Sequence, residues 1–341
     1  MPATETASAR PALLVDSFGR VVRSLRVSVT DRCNLRCLYC MPQGEVPWFR
    51  KERILTFEEI RRLAEILASL GVRELRLTGG EPLMRKELPV LARMLSRVEG
   101  IEDLAVTTNG LLLEELAGPL IEAGVRRFNV HIDSLEPAGF AVISRRSGLE
   151  RVLSGLEELE RLKATPVKIN VVLLRGINDD QILPFAELAL RRPYQVRFIE
   201  LMPLGGGEPF EMDRLVPGSE VKRRVEEIYP LIPVGRERPS APANVFRVAG
   251  GAGDIGFINP VTEPFCADCD RIRVTADGKV RTCLFSRAET DVATLLRGGR
   301  SDESIADVLK TAVAGKEAGG CLDLNQFYRE RLPRKMWQIG G

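Results

Sequence analysis

The chain has 341 residues, more than one hydrophobic core usually supports, so a large domain and a smaller one are expected. Hydrophobic residues make up 44% and charged residues 28%, a balance that excludes a disordered composition. The net charge of +2 does not indicate a general nucleic-acid binder, and no apolar run is long enough to span a bilayer. The first residues lack the pattern of a signal or transit peptide, so a cytoplasmic protein is predicted.

Six β-branched segments, each followed by an amphipathic helical pattern, fill the chain from residue 24 to about 204. The predicted strands span residues 24–30, 74–80, 103–109, 127–134, 167–175 and 195–201. Repeated βα units predict parallel strands joined by right-handed crossovers. Six units are too few for a closed eight-stranded barrel, so the predicted fold is α/β, either an incomplete (β/α)6 TIM-like barrel or an open doubly wound sheet. In both, functional groups belong at the C-terminal ends of the strands.

The pattern changes after a glycine-rich break at 205–207. A helix is predicted over 219–228, a hairpin turn at Asp277-Gly278 and another helix over 302–314. The predicted organisation is therefore an N-terminal extension (1–20), a barrel (21–204) and a smaller α+β domain (205–341) that covers the barrel mouth.

The first of two cysteine groups is Cys33-x3-Cys37-x2-Cys40, just past the first predicted strand. Three thiolates can hold three irons of a [4Fe–4S] cube and leave the fourth iron without a protein ligand. The alternatives are a zinc site, a redox-active CxxC pair and three buried cysteines on a helix. Structural zinc requires four ligands, and Pro42 disfavours a helix here. An odd total of seven cysteines also argues against a disulfide framework.

The second group, Cys266-x2-Cys269-x13-Cys283, brackets the predicted hairpin. A zinc ribbon is the alternative, and it needs a fourth ligand. The only histidine, His131, lies in the predicted barrel, and Cys321 lies well beyond the hairpin. Three ligands again favour an open-sided [4Fe–4S] cluster.

Three cations lie inside apolar predicted strands: Arg26, Arg76 and Lys168. An unpaired cation in such a position is expensive to bury. A polyanion bound inside the barrel would remove that cost.

The run CNLRCLYC together with Gly79-Gly80-Glu81-Pro82 resembles the radical S-adenosylmethionine (SAM) superfamily. The resemblance implies that the first cluster binds SAM, and that the cofactor also contacts Tyr39, Gly80, Glu81 and Met202. With RFIELMP, FCADCDRIR and the final Gly340-Gly341, the chain from Leu25 onward resembles the GTP 3′,8-cyclase family of molybdenum-cofactor biosynthesis.

That second resemblance implies two [4Fe–4S] clusters, SAM and GTP. It implies that an adenosyl radical abstracts H3′ of the GTP ribose and that C3′ then bonds to C8, giving 3′,8-cyclo-7,8-dihydro-GTP. The implied GTP contacts are Arg26, Arg76, Thr107, Lys168, Arg271, Ile272 and Arg273, with Arg197 as an addition. The glycine tail is expected to reach the active site. A flavodoxin or ferredoxin donor, transfer of product to cyclic pyranopterin monophosphate synthase, a homodimer, and no membrane or nucleic-acid partner are also implied.

Two positions depart from the family pattern. His131 stands where the family usually has a SAM-binding serine, and Glu74 stands where some relatives have lysine near the triphosphate. One alternative function is a radical SAM enzyme that modifies peptides and carries auxiliary clusters. Another is a zinc-ribbon nucleic-acid-binding protein, which the aromatic content of 6% disfavours.

Overall fold

A computed structural model describes residues 13–204, 212–319 and 334–340 of the chain. The predicted break at 205–207 lies outside these ranges, as do Cys321, Gly341 and residues 1–12 of the predicted extension. Ahead of the first strand, Val15 and Val21 form an isolated antiparallel bridge.

The six predicted strands are present. They are β1 (Ser24–Ser28), β2 (Glu74–Thr78), β3 (Asp103–Thr108), β4 (Arg127–His131), β5 (Val167–Leu173) and β6 (Tyr194–Glu200). The helices between and after them are α1 (Phe57–Ser69), α2 (Leu88–Leu95), α3 (Leu113–Glu122), α4 (Pro137–Ser144), α5 (Leu149–Arg161) and α6 (Ile182–Arg191). Each strand begins within one residue of its predicted start. Each ends one to three residues before its predicted end, where the chain leaves the strand to form a loop.

Helix α1 shows how local sequence sets these elements. Thr56 accepts a hydrogen bond from the Glu59 backbone N–H (3.2 Å), and the Glu59 carboxylate accepts one from Thr56 N–H (2.8 Å), which together form a capping box. Gly71, with a φ of +99°, turns the chain out of the helix. The helix buries Ile60 and Leu63 in the main core, where truncating one such side chain typically costs about 2–5 kcal/mol.

The strands β1 to β6 pair in sequence order, and every pair is parallel. The core lies between this sheet and its helices. Six parallel strands with crossover helices form an incomplete TIM-like barrel, as predicted, which leaves an open side between β1 and β6.

The C-terminal part joins both free edges of this sheet. Its strands are β7 (Leu231–Gly235), β8 (Asn244–Val248), β9 (Asp254–Ile258), β10 (Arg271–Val274), β11 (Lys279–Arg281) and β12 (Thr290–Asp291). Its helices are α7 (Gly218–Glu226), α8 (Val292–Arg297), α9 (Asp302–Ala314) and α10 (Met336–Ile339). Strand β10 pairs with β1 and β9 pairs with β6, both parallel, and the remaining strands add antiparallel outside them.

The C-terminal part is continuous with the barrel sheet. The C-terminal strands extend the barrel sheet at both edges, beside its open side. The physical reason is that an incomplete barrel leaves two edge strands with unpaired backbone groups, which further strands can satisfy. The predicted hairpin at Asp277-Gly278 is confirmed as the β10–β11 turn.

Candidate functional site

The inner face of the barrel is polar. In β1, Leu25 and Val27 belong to the core, while Arg26 lies on the opposite face of the strand. Arg26 is in register with Arg273 on β10 and with Arg76 on β2, so three guanidiniums form a row across adjacent strands. Closed TIM barrels fill this space with branched apolar side chains. Here the space is built to hold something charged or polar.

The arginine side chains on this inner face repel one another and are costly to bury. Burial and then the repulsion of neighbouring guanidiniums lower the pKa of Arg76 and Arg273 to about 10, and that of Arg197 to about 9. The same two causes hold the pKa of Arg26 well below its usual value. These shifts mean that the charged side chains repel one another inside the fold.

Few carboxylates offset these charges. Lys168 pairs with Glu237 at 3.2 Å, yet burial and Arg197 still lower the pKa of Lys168 to about 8. Neither the Arg26 nor the Arg76 guanidinium group has an ion pair or a hydrogen bond to another residue within the described ranges. Buried cations are normally paired, so this face fits a polyanion.

Two buried amide oxygens also lack partners. The Oδ1 atoms of Asn129 on β4 and Asn170 on β5 have no hydrogen-bond partner in the described structure. Asn129 is in register with Thr107 and Lys168, and Asn170 is in register with His131 and Arg197. Both amides therefore lie among the predicted ligand contacts, where a donor on a bound molecule would satisfy them.

The first cysteine group lies on the loop that follows β1. Its three thiols are free and half-buried. Burial raises the pKa of Cys33 and of Cys40 to about 12, and it holds the pKa of Cys37 well above the usual value, with Asp133 adding to the effect. Three free thiols on one loop fit the donor set of a [4Fe–4S] cluster, whose iron would replace the protons.

The Gly79-Gly80 pair packs closely against the backbone that follows β1. A Cβ on Gly79 would lie 2.6 Å from the Thr30 carbonyl oxygen, and one on Gly80 would lie 2.6 Å from that of Asp31. Gly80 N–H also donates to the Thr30 carbonyl at 2.7 Å. The glycines thus let this loop approach the backbone that leads into the cysteine loop.

Glu81 is buried and largely satisfied by protein groups. Its Oε1 accepts from Leu83 N–H (2.9 Å) and the Thr108 hydroxyl (2.7 Å), and its Oε2 accepts from Asn109 N–H (2.7 Å). Burial nevertheless raises the pKa of Glu81 to about 7. A carboxylate has about four acceptor positions, so Oε2 retains one for a ligand ammonium group.

Gly80→Ala is expected to lower the iron content of the first cluster and to destabilise the fold. The added methyl group would meet the carbonyl oxygens of Asp31 and Arg32, and such overpacking typically costs about 1–3 kcal/mol. Iron per chain and the midpoint of thermal unfolding measure the two effects. Gly118→Ala is the matched control, because a methyl group added at Gly118 would have no neighbouring atom within 4 Å. Equal iron content in both variants would contradict this role for Gly80.

Tyr39, His131 and Asp133 form a hydrogen-bonded group beside the first cysteine loop. The Tyr39 hydroxyl donates to Asp133 Oδ2 at 2.7 Å, and His131 Nε2 lies 2.8 Å from the same oxygen and in contact with the hydroxyl. Burial lowers the pKa of His131, but the Asp133 carboxylate outweighs it and raises the pKa above the usual value. Tyr39, which the resemblance implies contacts SAM, therefore helps to hold His131 in place.

The second cysteine group lies at the opposite end of the strands. Cys266 and Cys269 precede β10, which runs parallel to β1, and Cys283 follows β11, which returns to the same end. The five residues of β1, roughly 16 Å of strand, separate this end from the loop of Cys33. The first group therefore lies at the C-terminal ends of the barrel strands, and the second lies at their N-terminal ends.

The two cysteine groups lie in contrasting charge environments. Burial raises the pKa of Cys269, but Arg271 and Lys316 outweigh it and lower the pKa to about 7. Arg271 Nη2 lies 3.7 Å from the Cys269 sulfur. Within 13–204, 212–319 and 334–340, no three His, Cys, Asp or Glu side chains are arranged to hold a metal ion. The fit of each group to a cluster thus rests on its three cysteine thiols.

The C-terminal segment enters the barrel. Arg273 donates to the Gly340 carbonyl at 3.2 Å, and a Cβ on Gly340 would lie 2.7 Å from the Thr78 hydroxyl. Trp337 is buried, and its indole N–H has no partner among the described residues. The described end of the tail therefore reaches the row of guanidiniums, and Gly341 lies outside the described ranges.

The remaining predicted contacts are placed as follows. Thr107 accepts a weak hydrogen bond from Asn129 at 3.5 Å, and Met202 is half-buried just past β6. Ile272 lies on the other face of β10, with its side chain in the core, so that only its backbone can face the barrel. Glu74 pairs with Arg238 and Arg127, which places it in an ion-pair network.

Family profiles match both halves of the chain. The radical SAM superfamily matches residues 27–189, and the family described as Molybdenum Cofactor Synthesis C matches residues 194–321. None of the described helices is long and apolar enough to cross a membrane. The predicted domain boundary at residue 204 stays a prediction.

Curated relatives match over nearly the full length. A GTP 3′,8-cyclase of Syntrophomonas wolfei is 42% identical over 328 residues, covering 96% of this chain and 100% of the relative. One from Moorella thermoacetica is 44% identical over 326 residues, covering 96% and 99%. The crystal structure of Streptococcus suis SuiB bound to S-adenosylmethionine aligns with a TM-score of 0.59 at 12% identity, covering 87% of this chain and 69% of that one. At this identity the structural likeness supports the fold alone.

Proposed function

This chain belongs to the GTP 3′,8-cyclase family, and we propose that it converts GTP to 3′,8-cyclo-7,8-dihydro-GTP, the first step of molybdenum-cofactor biosynthesis. The observation that carries the proposal is the row of Arg273, Arg26 and Arg76 inside a barrel that has a three-cysteine group at each end. A nucleoside triphosphate supplies the polyanion that such a row lacks.

The first cysteine group would hold a [4Fe–4S] cluster and SAM. Cys33, Cys37 and Cys40 supply three thiolates, and Glu81 has an acceptor position left for the methionyl ammonium group. When bound, the cluster and SAM supply a 5′-deoxyadenosyl radical, and the protein supplies position and exclusion of water. Gly80 acts by holding the cysteine loop against the second βα loop.

The substrate would lie along the inner face of the barrel. Arg26, Arg76 and Arg273 would bind the triphosphate, together with Lys168, Arg197 and Arg271. In the reaction the ribose C3′–H bond would break as its hydrogen passes to the deoxyadenosyl radical, and a C3′–C8 bond would form at the expense of the C8–N7 π bond. One electron from the reductant and one proton would then complete 3′,8-cyclo-7,8-dihydro-GTP. A second cluster on Cys266, Cys269 and Cys283 would hold the purine at the other end of the strands.

The wider setting follows from the same family. We place the protein in the cytoplasm, where thiols stay reduced and clusters can persist. A flavodoxin or ferredoxin would supply low-potential electrons, and cyclic pyranopterin monophosphate synthase would receive the product. We also propose that the protein forms a homodimer.

Anaerobic reconstitution followed by turnover tests the proposal. We expect about eight irons and eight sulfides per chain, and cyclised product only when GTP, SAM and a reductant are all present. Zinc without sulfide would indicate a zinc ribbon and would contradict the proposal. A peptide-modifying relative would show both clusters and SAM cleavage without GTP cyclisation.

His131→Leu is expected to weaken SAM binding by about tenfold or more, while His131→Ser retains it. The imidazole contacts both Tyr39 and Asp133, and a leucine would leave the buried carboxylate one hydrogen bond short, where bonds to charged groups are worth about 1.5–3 kcal/mol. Equilibrium binding of SAM to the reconstituted variants measures the effect. Unchanged affinity in the leucine variant would assign His131 to barrel structure alone.

A further inference from the structure

Lys316 is a buried cation beside the second cysteine group. It follows α9 and is 2% exposed. Its ammonium group lies 2.6 Å from the Cys269 carbonyl oxygen, 3.0 Å from the Arg271 carbonyl oxygen and 3.6 Å from the Cys269 sulfur. An ammonium group has three donors, so two are used on the backbone and the third points to the sulfur.

No carboxylate pairs with this ammonium group in the described structure, since its three hydrogen-bond acceptors are two carbonyls and one sulfur. A buried cation without a counterion is costly unless the site supplies negative charge. A thiolate that ligates a cluster is such a charge. Lys316 is therefore placed for an anionic group on Cys269.

The residues after Lys316 fix its position against the same loop. Arg20 donates to the carbonyls of Cys266 (2.7 Å), Ala318 (2.7 Å) and Glu317 (2.6 Å), and Asp16 holds it from the other side. A Cβ on Gly319 would lie 2.6 Å from the Cys266 Cβ. Residues 316–319 thus wrap the Cys266–Cys269 loop.

We propose that Lys316 is a positioning residue that raises the reduction potential of the second cluster through its charge and its N–H···S contact with Cys269. This inference rests on the proposed function, because it requires a cluster on that loop. Hydrogen bonds to cluster sulfurs and nearby charge are established determinants of cluster potential, since both stabilise the reduced, more negative form.

The first cysteine group provides an internal reference. The charges that act on it are the carboxylates of Glu81 and Asp133 and the guanidinium of Arg36, and no lysine contacts its thiols among the described residues. A change at Lys316 should therefore move the potential of one cluster and leave that of the other unchanged.

Redox titration followed by electron paramagnetic resonance tests the inference, on reconstituted protein without SAM or GTP. In Lys316→Met we expect reduction of the second cluster to become at least tenfold less favourable, about 59 mV for one electron, with the first cluster unmoved. Lys316→Arg should stay near wild type, because it keeps the charge. Lys310→Met, on the exposed part of α9, is the control and should change nothing.

Lys316→Gln covers the case in which the methionine variant loses its second cluster. A lowered potential in the glutamine variant, with eight irons retained, supports the inference. Wild-type potential in both neutral variants, or loss of the second cluster in both, overturns it and leaves Lys316 a structural residue. Four irons or fewer per chain in the wild-type protein would instead contradict the proposed function. Failure of the proposed function can therefore be told apart from failure of the inference about Lys316.

Discussion

Cys283→Ser is expected to halve the iron content, from about eight to about four irons per chain, and to abolish cyclised product. Cys283 follows β11 and lies at the same barrel end as Cys269, and both thiols act on the charge of Arg273. Losing one of three ligands leaves the second cluster too weakly held to persist. The first cluster lies at the other end of the strands and should still form.

Cys321→Ser is the control for this prediction. Cys321 lies outside the described residues, and the sequence places it beyond the hairpin motif, so the variant should keep both clusters and full cyclisation. Iron and sulfide analysis with electron paramagnetic resonance, with and without GTP, measures both variants. Cluster loss in the Cys321 variant, with a spectrum that GTP leaves unchanged, would mean a four-cysteine cluster that only relays electrons.

The barrel could be predicted because its signals are local. Apolar strand segments and amphipathic helical patterns determine each βα unit, and the six observed strands begin within a residue of the predicted starts. The attachment of β9 and β10 to the barrel edges could not be predicted. Pairing between β1 and β10 joins residues about 250 apart in sequence, and no local pattern specifies which edge a later strand will join.

The candidate site shows the same division. The sequence reveals the cysteine groups by their spacing. It reveals the cations because each lies inside an otherwise apolar strand. Asn129, Asn170 and Lys316 were missed, because single amides and lysines are common on surfaces. Strand alternation could have indicated the two asparagines, which lie two residues from His131 and Lys168 on the same strand faces. The role of Lys316 follows only from its contact with Cys269, which lies 47 residues away in the sequence.

Arg76→Met is expected to lower GTP affinity by roughly 10- to 100-fold, and also to raise the thermal stability of the substrate-free protein. Each charge-assisted contact to a phosphate is worth about 1.5–3 kcal/mol. Without substrate, burial and then Arg127 lower the pKa of Arg76 to about 10, below its value in the unfolded chain. At neutral pH its charge therefore disfavours the folded state, and removing that charge should stabilise the fold.

The opposite signs of the two effects make this test specific. Replacing an ordinary structural arginine would lower the thermal stability and leave GTP binding unchanged. Replacing a ligand-binding arginine that has no partner should raise the thermal stability and weaken GTP binding. Arg191→Met on α6, whose side chain is 72% exposed, is the matched control and should change neither quantity. Calorimetric GTP binding and thermal unfolding of the same reconstituted samples measure both. Arg76 is a cleaner choice than Arg271 or Arg273, which contact Cys269 and Gly340. Unchanged GTP affinity in Arg76→Met would remove the guanidinium row from the substrate site.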